Sequence, residues 1–340
     1  MSASIFQVLS PLVFPRVANS VPFVPVVPVV RQLRLSVTDL CNFRCRYCMP
    51  QEGVAKFAHS DLLPLEALAG MVGWLSTHTA ISRVRLTGGE PLVRKGICDL
   101  IAELKSFPAI QEVSLTTNAS LLAPMAQDLK AAGLDRVNIS LDSLDEQRFA
   151  EITRGGKLSR TLAGIKAAQE AGLTPIKLNA VLQRSTWKQE VPALLDYAAS
   201  SGFEIRFIEL MRMGTEREWC ESEYISVDEV CEGLHTEFVT VDNGSHAPAQ
   251  KTEVDWRGSK LSVGWITPRS HPFCSSCERL RLDARGQLRR CLMDQTTLDF
   301  TRVLGTDDSE SAVWEFNDYL AGKHPPLAMD SPFAMSQIGG

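Results

Sequence analysis

The sequence lacks several features that would assign it quickly. It has no excess of positive charge: 35 Lys and Arg stand against 40 Asp and Glu, a formal net charge of −5. Nothing global favours nucleic acid or a membrane surface, so an anionic ligand would need a local cationic pocket. The apolar stretch Val21-Pro22-Phe23-Val24-Pro25-Val26-Val27-Pro28-Val29-Val30 is no membrane span, because each proline removes an amide donor and clashes with the preceding helical turn. The nine cysteines are odd in number. They fall as two groups of three, with Cys98, Cys220 and Cys231 scattered. That is a poor disulfide framework and a better set of metal ligands for a reducing compartment such as the cytoplasm.

Residues 1–32 also lack any acidic residue and carry Arg16 and Arg31. They read as an extended arm lying against the domain or a partner subunit. If the arm were instead a transit segment, the destination would be an organellar matrix.

What is present is a long chain, 340 residues with 44% hydrophobic and 22% charged, enough for one large core and an appended unit. From Leu33 strands and helices alternate. Strands are expected at Leu33–Val37, Arg83–Leu86, Glu112–Thr116, Asp135–Leu141, Ile176–Leu182 and Phe203–Ile208. Helices are expected at Leu65–Thr77, Lys95–Ser106, Leu121–Ala132, Ser159–Ala171 and Lys188–Ser200. Such alternation is the mark of a parallel sheet. Beyond Glu209 the rhythm stops. Residues 214–225 read as loop, Ser226–His235 as a helix, 238–272 as irregular or short-stranded, and Glu310–Lys323 as a helix.

Alternate strand residues share a face. One face carries Arg34, Ser36 and Thr38, then Arg83, Arg85 and Thr87, then Ser114, Thr116 and Asn118. It continues with Asn138, Ser140 and Asp142, and with Lys177 and Asn179. The other face is apolar throughout. A strand buried between two helical layers would be apolar on both faces. The α/β pattern therefore predicts an incomplete (β/α)6 barrel with a polar cavity opening at the strand C-termini. The division expected is 1–32 as arm, 33–212 as barrel and 213–340 as a C-terminal extension.

Cys41, Cys45 and Cys48 are spaced C-x3-C-x2-C directly after the first strand. Three thiols on one loop leave a metal centre one ligand short, which suits a [4Fe–4S] cluster with one open iron. A zinc loop completed by His59 is the plainer alternative. The turn Thr87-Gly88-Gly89-Glu90-Pro91 closes the second strand; its glycines allow close backbone approach, and Glu90 could meet an ammonium group. Cys274, Cys277 and Cys291 form a second open set, C-x2-C-x13-C, with Arg279 and Arg281 beside it. Those arginines point to an anionic substrate, and a zinc knuckle using His271 is the alternative.

The first two motifs together resemble the radical S-adenosylmethionine (SAM) superfamily. That resemblance implies a partial barrel and a cluster that cleaves SAM to an adenosyl radical. With the second cysteine set, the segments Arg34–Asp39, Arg83–Pro91, Thr116–Asn118, Asn138–Ser143 and Arg206–Met211, and the terminal Gly339-Gly340, the chain from Leu33 onward resembles the molybdenum cofactor biosynthesis protein A family, the GTP 3′,8-cyclases. The resemblance implies two [4Fe–4S] clusters, on Cys41, Cys45 and Cys48 and on Cys274, Cys277 and Cys291. It implies SAM against Tyr47, Gly89, Ser140 and Met211. It implies GTP against Arg34, Arg85, Thr116, Lys177, Arg279 and Arg281. A flavodoxin- or ferredoxin-type electron donor, a downstream enzyme taking the cyclised nucleotide, and a homodimer are further implications, as is a C-terminal tail reaching into the site. Glu278 departs from the family, where a neutral polar residue is common; it could disturb the triphosphate field or pair with a flanking arginine. A peptide maturase with an auxiliary cluster and a zinc-binding protein are the competing readings.

Overall fold

The computed structural model describes residues 27–54, 57–58, 61–213, 216–241, 249–305, 309–326, 330–331 and 335. Most of the arm, His59 and the Gly339-Gly340 end lie outside the described residues.

Six parallel strands form the body: β1 (Gln32–Ser36), β2 (Arg83–Thr87), β3 (Glu112–Thr117), β4 (Arg136–Ser140), β5 (Lys177–Val181) and β6 (Glu204–Ile208). The intervening helices are α1 (Leu65–His78), α2 (Ile97–Ser106), α3 (Ala126–Ala131), α4 (Glu146–Thr153), α5 (Leu158–Glu170) and α6 (Trp187–Ser201). The apolar strand face is the core. Leu33, Leu35, Val84, Leu86, Val137 and Ile139 are all fully buried. Each such side chain contributes about 1.5–3 kcal/mol by leaving water, so the helices outside and the polar interior follow from the same alternation.

Three elements differ from expectation. The third helix begins at Ala126, not Leu121, because Leu122 and Met125 bond back only three residues and Pro124 has no amide hydrogen. Helix α4 was not expected; Asp145 caps it by accepting from the Arg148 amide at 2.8 Å. Residues 214–225 contain the short helix α7 (Arg217–Ser222) rather than only loop.

The larger difference lies past β6. Strand β7 (Arg212–Met213) pairs with β14 (Asp330–Ser331). Helix α8 (Val227–Leu234) carries the expected Ser226 cap, reciprocated by Glu229. Residues 238–272 hold β8 (Val239–Val241) and a long antiparallel pair, β9 (Gln250–Trp256) and β10 (Ser259–Ile266). Then come β11 (Arg279–Leu282), β12 (Gln287–Arg289), β13 (Leu298–Asp299), α9 (Phe300–Leu304) and α10 (Ser309–Ala321). Strand β10 adds in parallel to β6 and β11 in parallel to β1. One sheet results, ordered β13-β12-β11-β1-β2-β3-β4-β5-β6-β10-β9-β8 among the described residues. The C-terminal segment therefore extends both edges of the partial barrel, and β11 brings its arginines into line with those of β1 and β2. Among the described residues no helix is long and apolar enough to cross a membrane.

Candidate functional site

The loop after β1 is held on several sides. Gly89 N–H donates to the Thr38 carbonyl and Glu90 N–H to the Leu40 carbonyl, both at 2.8 Å. A Cβ on Gly89 would lie 2.2 Å from the Leu40 oxygen, so glycine is required there by the approach of two backbones. The end of α4 supports the other side, where the Arg44 and Arg46 amides donate to the Thr153 and Ile152 carbonyls at 3.1 Å. Tyr47 is buried, and its hydroxyl donates to Asp142 at 2.7 Å.

Glu90 does not offer a free carboxylate to an ammonium group. It accepts from the Thr117 hydroxyl at 2.6 Å and from the Asn118 and Leu92 amides at 2.8 and 3.1 Å. Burial nevertheless pushes it up to about 7. The Gly88-Gly89-Glu90 turn is thus a buttress between the ends of β2 and β3 as well as part of the cavity wall.

Inside the barrel mouth lies a cavity of about 230 Å³, lined by Cys41, Cys45 and Cys48 and by Tyr47, Gly89 and Ser140. Thr116 and Arg85 also face it. A second cavity of about 250 Å³ is lined by Cys274, Cys277 and Cys291 with Arg279 and Arg281. Arg34, Ile208, Met211, Ile266 and Met335 line both. The two cavities are lobes of one chamber with a thiol triplet at each end. The Met335 amide donates to the Cys48 carbonyl at 3.2 Å, and Met335 lines both lobes; the expected entry of the tail beyond it falls on residues outside those described.

The register places Arg281, Arg34 and Arg85 side by side on β11, β1 and β2. The Nε atoms of Arg34 and Arg85 are buried and have no acceptor. Burial, reinforced by Arg281, Arg85 and Arg279, pulls Arg34 well below the usual guanidinium range. Burial with Arg136 and Arg206 brings Arg85 down to about 9, and burial with Arg279 brings Arg281 to about 10. Crowded, desolvated cations of this kind call for an anion.

Both triplets suit a cluster. All six cysteines line the chamber, and the thiols within each triplet are close enough to raise one another, after burial, at Cys41, Cys45 and Cys274. Among the described residues no three Cys, His, Asp or Glu side chains are placed to hold a single metal ion. A four-iron cluster does not require that convergence, because each thiolate binds its own iron. His271 is spent elsewhere: its Nε2 lies 2.8 Å from Asp228 Oδ2, and it lines neither lobe. The zinc knuckle therefore loses its fourth ligand.

Lys177 is not brought into the chamber. It sits at the start of β5 in an ion pair with Glu204 at 3.1 Å and lines neither lobe. Two residues escaped the sequence reading. Lys323 lines the second lobe, donating to the Arg290 carbonyl at 2.6 Å with Cys277 Sγ at 3.7 Å. Asn179 was placed on the polar face without a role, yet its buried Oδ1 has no partner and faces the first lobe. Asn179 was visible through strand parity; Lys323, a single lysine after a helix, gave no pattern.

A family model described as Radical SAM superfamily matches residues 35–198, and one described as Molybdenum Cofactor Synthesis C matches 203–326. A protein of Moorella thermoacetica named GTP 3′,8-cyclase is 42% identical over 319 residues, covering 92% of this chain and 98% of that protein. A protein of the same name from Alkaliphilus metalliredigens is 41% identical over 277 residues, covering 81% of this chain and 84% of its own. Among solved structures, Streptococcus suis SuiB superposes with a TM-score of 0.59 at 14% identity, covering 86% of this chain and 67% of that one. The structure of anSMEcpe with bound AdoMet gives 0.55, also at 14%, covering 84% and 80%. These neighbours share the fold; the curated relatives share sequence across both halves, and on that ground the chain belongs to the GTP 3′,8-cyclase family of the radical SAM superfamily.

Proposed function

We propose that this chain converts GTP to 3′,8-cyclo-7,8-dihydro-GTP in molybdenum cofactor biosynthesis. The observation that carries the reading is the single chamber with an open three-thiol site at each end and, at its junction, Arg34 with a buried Nε that has no acceptor. Cys41, Cys45 and Cys48 hold a [4Fe–4S] cluster, with SAM against Tyr47, Gly89, Ser140 and Met211. Cys274, Cys277 and Cys291 hold a second [4Fe–4S] cluster. When bound and reduced, the first cluster with SAM supplies an adenosyl radical able to take the ribose 3′ hydrogen.

The chain's own residues do the positioning. Arg34, Arg85, Thr116, Arg279 and Arg281 bind the GTP, the guanidinium groups pairing with phosphate oxygens in a site where charge is poorly screened. Lys177 joins them only if substrate draws it from Glu204. Ile208, Ile266, Met211 and Met335 line the junction and exclude water, which keeps the ribose beside the radical source. Electrons come from a flavodoxin- or ferredoxin-type protein, and the product passes to a downstream enzyme. A homodimer in the cytoplasm completes the reading.

Anaerobic reconstitution should load roughly eight irons per chain. Adding GTP, SAM and a reductant should then give 5′-deoxyadenosine and the cyclised nucleotide together. Adenosyl cleavage with no cyclised GTP rejects the substrate; four irons, or zinc, reject the two-cluster site.

A further inference from the structure

Cys277 and Cys291 reach the second lobe from different segments, and one side chain touches both segments. The Lys323 ammonium donates to the carbonyl of Arg290, the residue just before Cys291, at 2.6 Å. It also donates to Cys277 Sγ at 3.7 Å. An ammonium has three donors, so both contacts can be kept at once.

The fold seats Lys323 there. Arg290 ties the Cys291 segment to α10: its Nη1 donates to the Tyr319 carbonyl at 3.2 Å, and its guanidinium lies 4.6 Å from the centre of the Tyr319 ring. Asp294 and Thr296 accept from the rest of that guanidinium at 2.7 and 2.6 Å. The Tyr319 hydroxyl donates to the Leu288 carbonyl at 2.9 Å, and the Lys323 amide to the Leu320 carbonyl, also at 2.9 Å. The end of α10 is thus fixed against the segment that carries Cys291, and Lys323 follows directly after it. A second cation acts on the same sulfur, since Arg279 Nε donates to Cys277 Sγ at 3.4 Å. Arg279, however, is assigned to the triphosphate, which would share its charge. Lys323 is held by acceptors of the protein itself. Glu278, next to Cys277 in the chain, does not line the lobe and forms an ion pair with Arg31.

We propose that Lys323 is a positioning residue for the second cluster: it joins the Cys291 segment to Cys277 and sets a positive charge against a ligand sulfur, which eases the entry of one electron. The inference rests on the reading that Cys274, Cys277 and Cys291 hold a [4Fe–4S] cluster. One-electron reduction adds a negative charge to the cluster, and a cation hydrogen-bonded to a ligand sulfur stabilises that charge. Net charge and hydrogen bonds to the sulfurs are among the factors that set such potentials. Lys323 and Cys277 are both half-buried, so water screens the charge only in part. The electron comes from the flavodoxin- or ferredoxin-type donor, and no bond or proton is exchanged at Lys323. The second cluster is thereby reduced more easily than its three thiolates alone would allow.

The test is a redox titration of the anaerobically reconstituted holoenzyme, followed by electron paramagnetic resonance. Of the two cluster signals, the one that SAM perturbs belongs to the first cluster and serves as the reference. Lys323→Met is expected to make reduction of the second cluster about tenfold less favourable, a fall of about 59 mV for a one-electron couple, with the first cluster unchanged. Lys323→Arg keeps the charge and should stay within about twofold of wild type. Should Lys323→Met not retain its second cluster, Lys323→Gln, which keeps a donor for the Arg290 carbonyl, carries the same expectation. A wild-type potential in the neutral variant overturns the assignment. So does a Lys323→Arg potential as low as that of Lys323→Met, or loss of the second cluster in all three variants, either of which would mean that Lys323 acts by packing alone. A wild type that loads only about four irons overturns the two-cluster reading, and the role of Lys323 falls with it. About eight irons with no shift in Lys323→Met overturns the role alone.

Discussion

Cys41 and Cys277 are both half-buried thiols in three-thiol sites on one chamber, yet they differ sharply. Burial, with Cys48 and Glu90 nearby, pushes Cys41 up to about 12. Burial also pushes Cys277 up, but Arg279 and Lys323 outweigh it and bring it to about 7. The first end of the chamber carries buried carboxyls, Glu90 and Asp142, raised to about 7 and about 6 mainly by desolvation. The second end carries Arg279, Arg281 and Lys323. Glu90 and Glu209 line the first lobe together with Arg85 and Arg206, whereas no Asp or Glu among the described residues lines the second. The two ends thus differ in their acidic lining, with Arg34 on the wall they share.

The strongest way to break that division is to remove one thiol at each end. Cys48→Ala should abolish both 5′-deoxyadenosine and cyclised product, a loss of more than about a thousandfold, since radical generation is the chemistry that the cofactors supply. Cys291→Ala should abolish the cyclised product while leaving SAM cleavage and about half of the iron. Product chromatography with iron analysis separates the two. Equal loss of SAM cleavage in both variants would show that the ends do not act separately.

Next in size is Arg34, whose Nε is buried without an acceptor at the junction. Arg34→Ala should weaken GTP binding by about 10–100-fold, because a charge-assisted contact to phosphate is lost. SAM binding should change far less. Equilibrium binding of the two ligands checks this, and a parallel loss would merge the two lobes into one site. Lys323→Met sharpens the contrast from the second end. Its ammonium is already committed to the Arg290 carbonyl and lies against Cys277. The expected loss is about fivefold in KM for GTP, an exposed-to-buried intermediate for one charge, with SAM cleavage in the absence of GTP unaltered.

The same contrast explains what the sequence could and could not reveal. The first end is local: Cys41, Cys45 and Cys48 lie on one loop after one strand, and period-two alternation assigned the faces of Arg34, Arg85, Thr116 and Ser140. The second end is assembled from a distance. Strand β11 reaches β1 from about the other end of the chain, and β10 reaches β6 across the β8–β9 excursion. No periodicity within a segment reports such pairing. The β9–β10 pair was also obscured locally, where the turn Arg257-Gly258 and Gly264 interrupt the alternation. Helix α7 has six residues, too few to show a helical period.

Lys177 gives the finest division, and the smallest effect is expected there. Parity put it on the cavity face, and the register Asn138↔Lys177↔Glu204 agrees. Parity fixes the side of a strand but not the depth along it. Lys177 is the first residue of β5, at the end remote from the barrel mouth, whereas Asn179, two residues further along, reaches the first lobe. At that depth Lys177 meets Glu204 at 3.1 Å, and Arg206 meets the same carboxylate at 2.6 Å. Burial and Arg206 pull Lys177 below the usual ammonium range, and Glu204 works against them. Lys177→Met removes one of two cations from Glu204 and leaves the other in place. GTP affinity should therefore fall by only about two- to fivefold, the worth of a partly exposed ion pair, and less than in Arg34→Ala. Equilibrium binding measured on the two variants side by side decides it. A loss as large as that of Arg34→Ala would mean that the triphosphate draws Lys177 away from Glu204, extending the anion site from the junction down to the floor of the barrel.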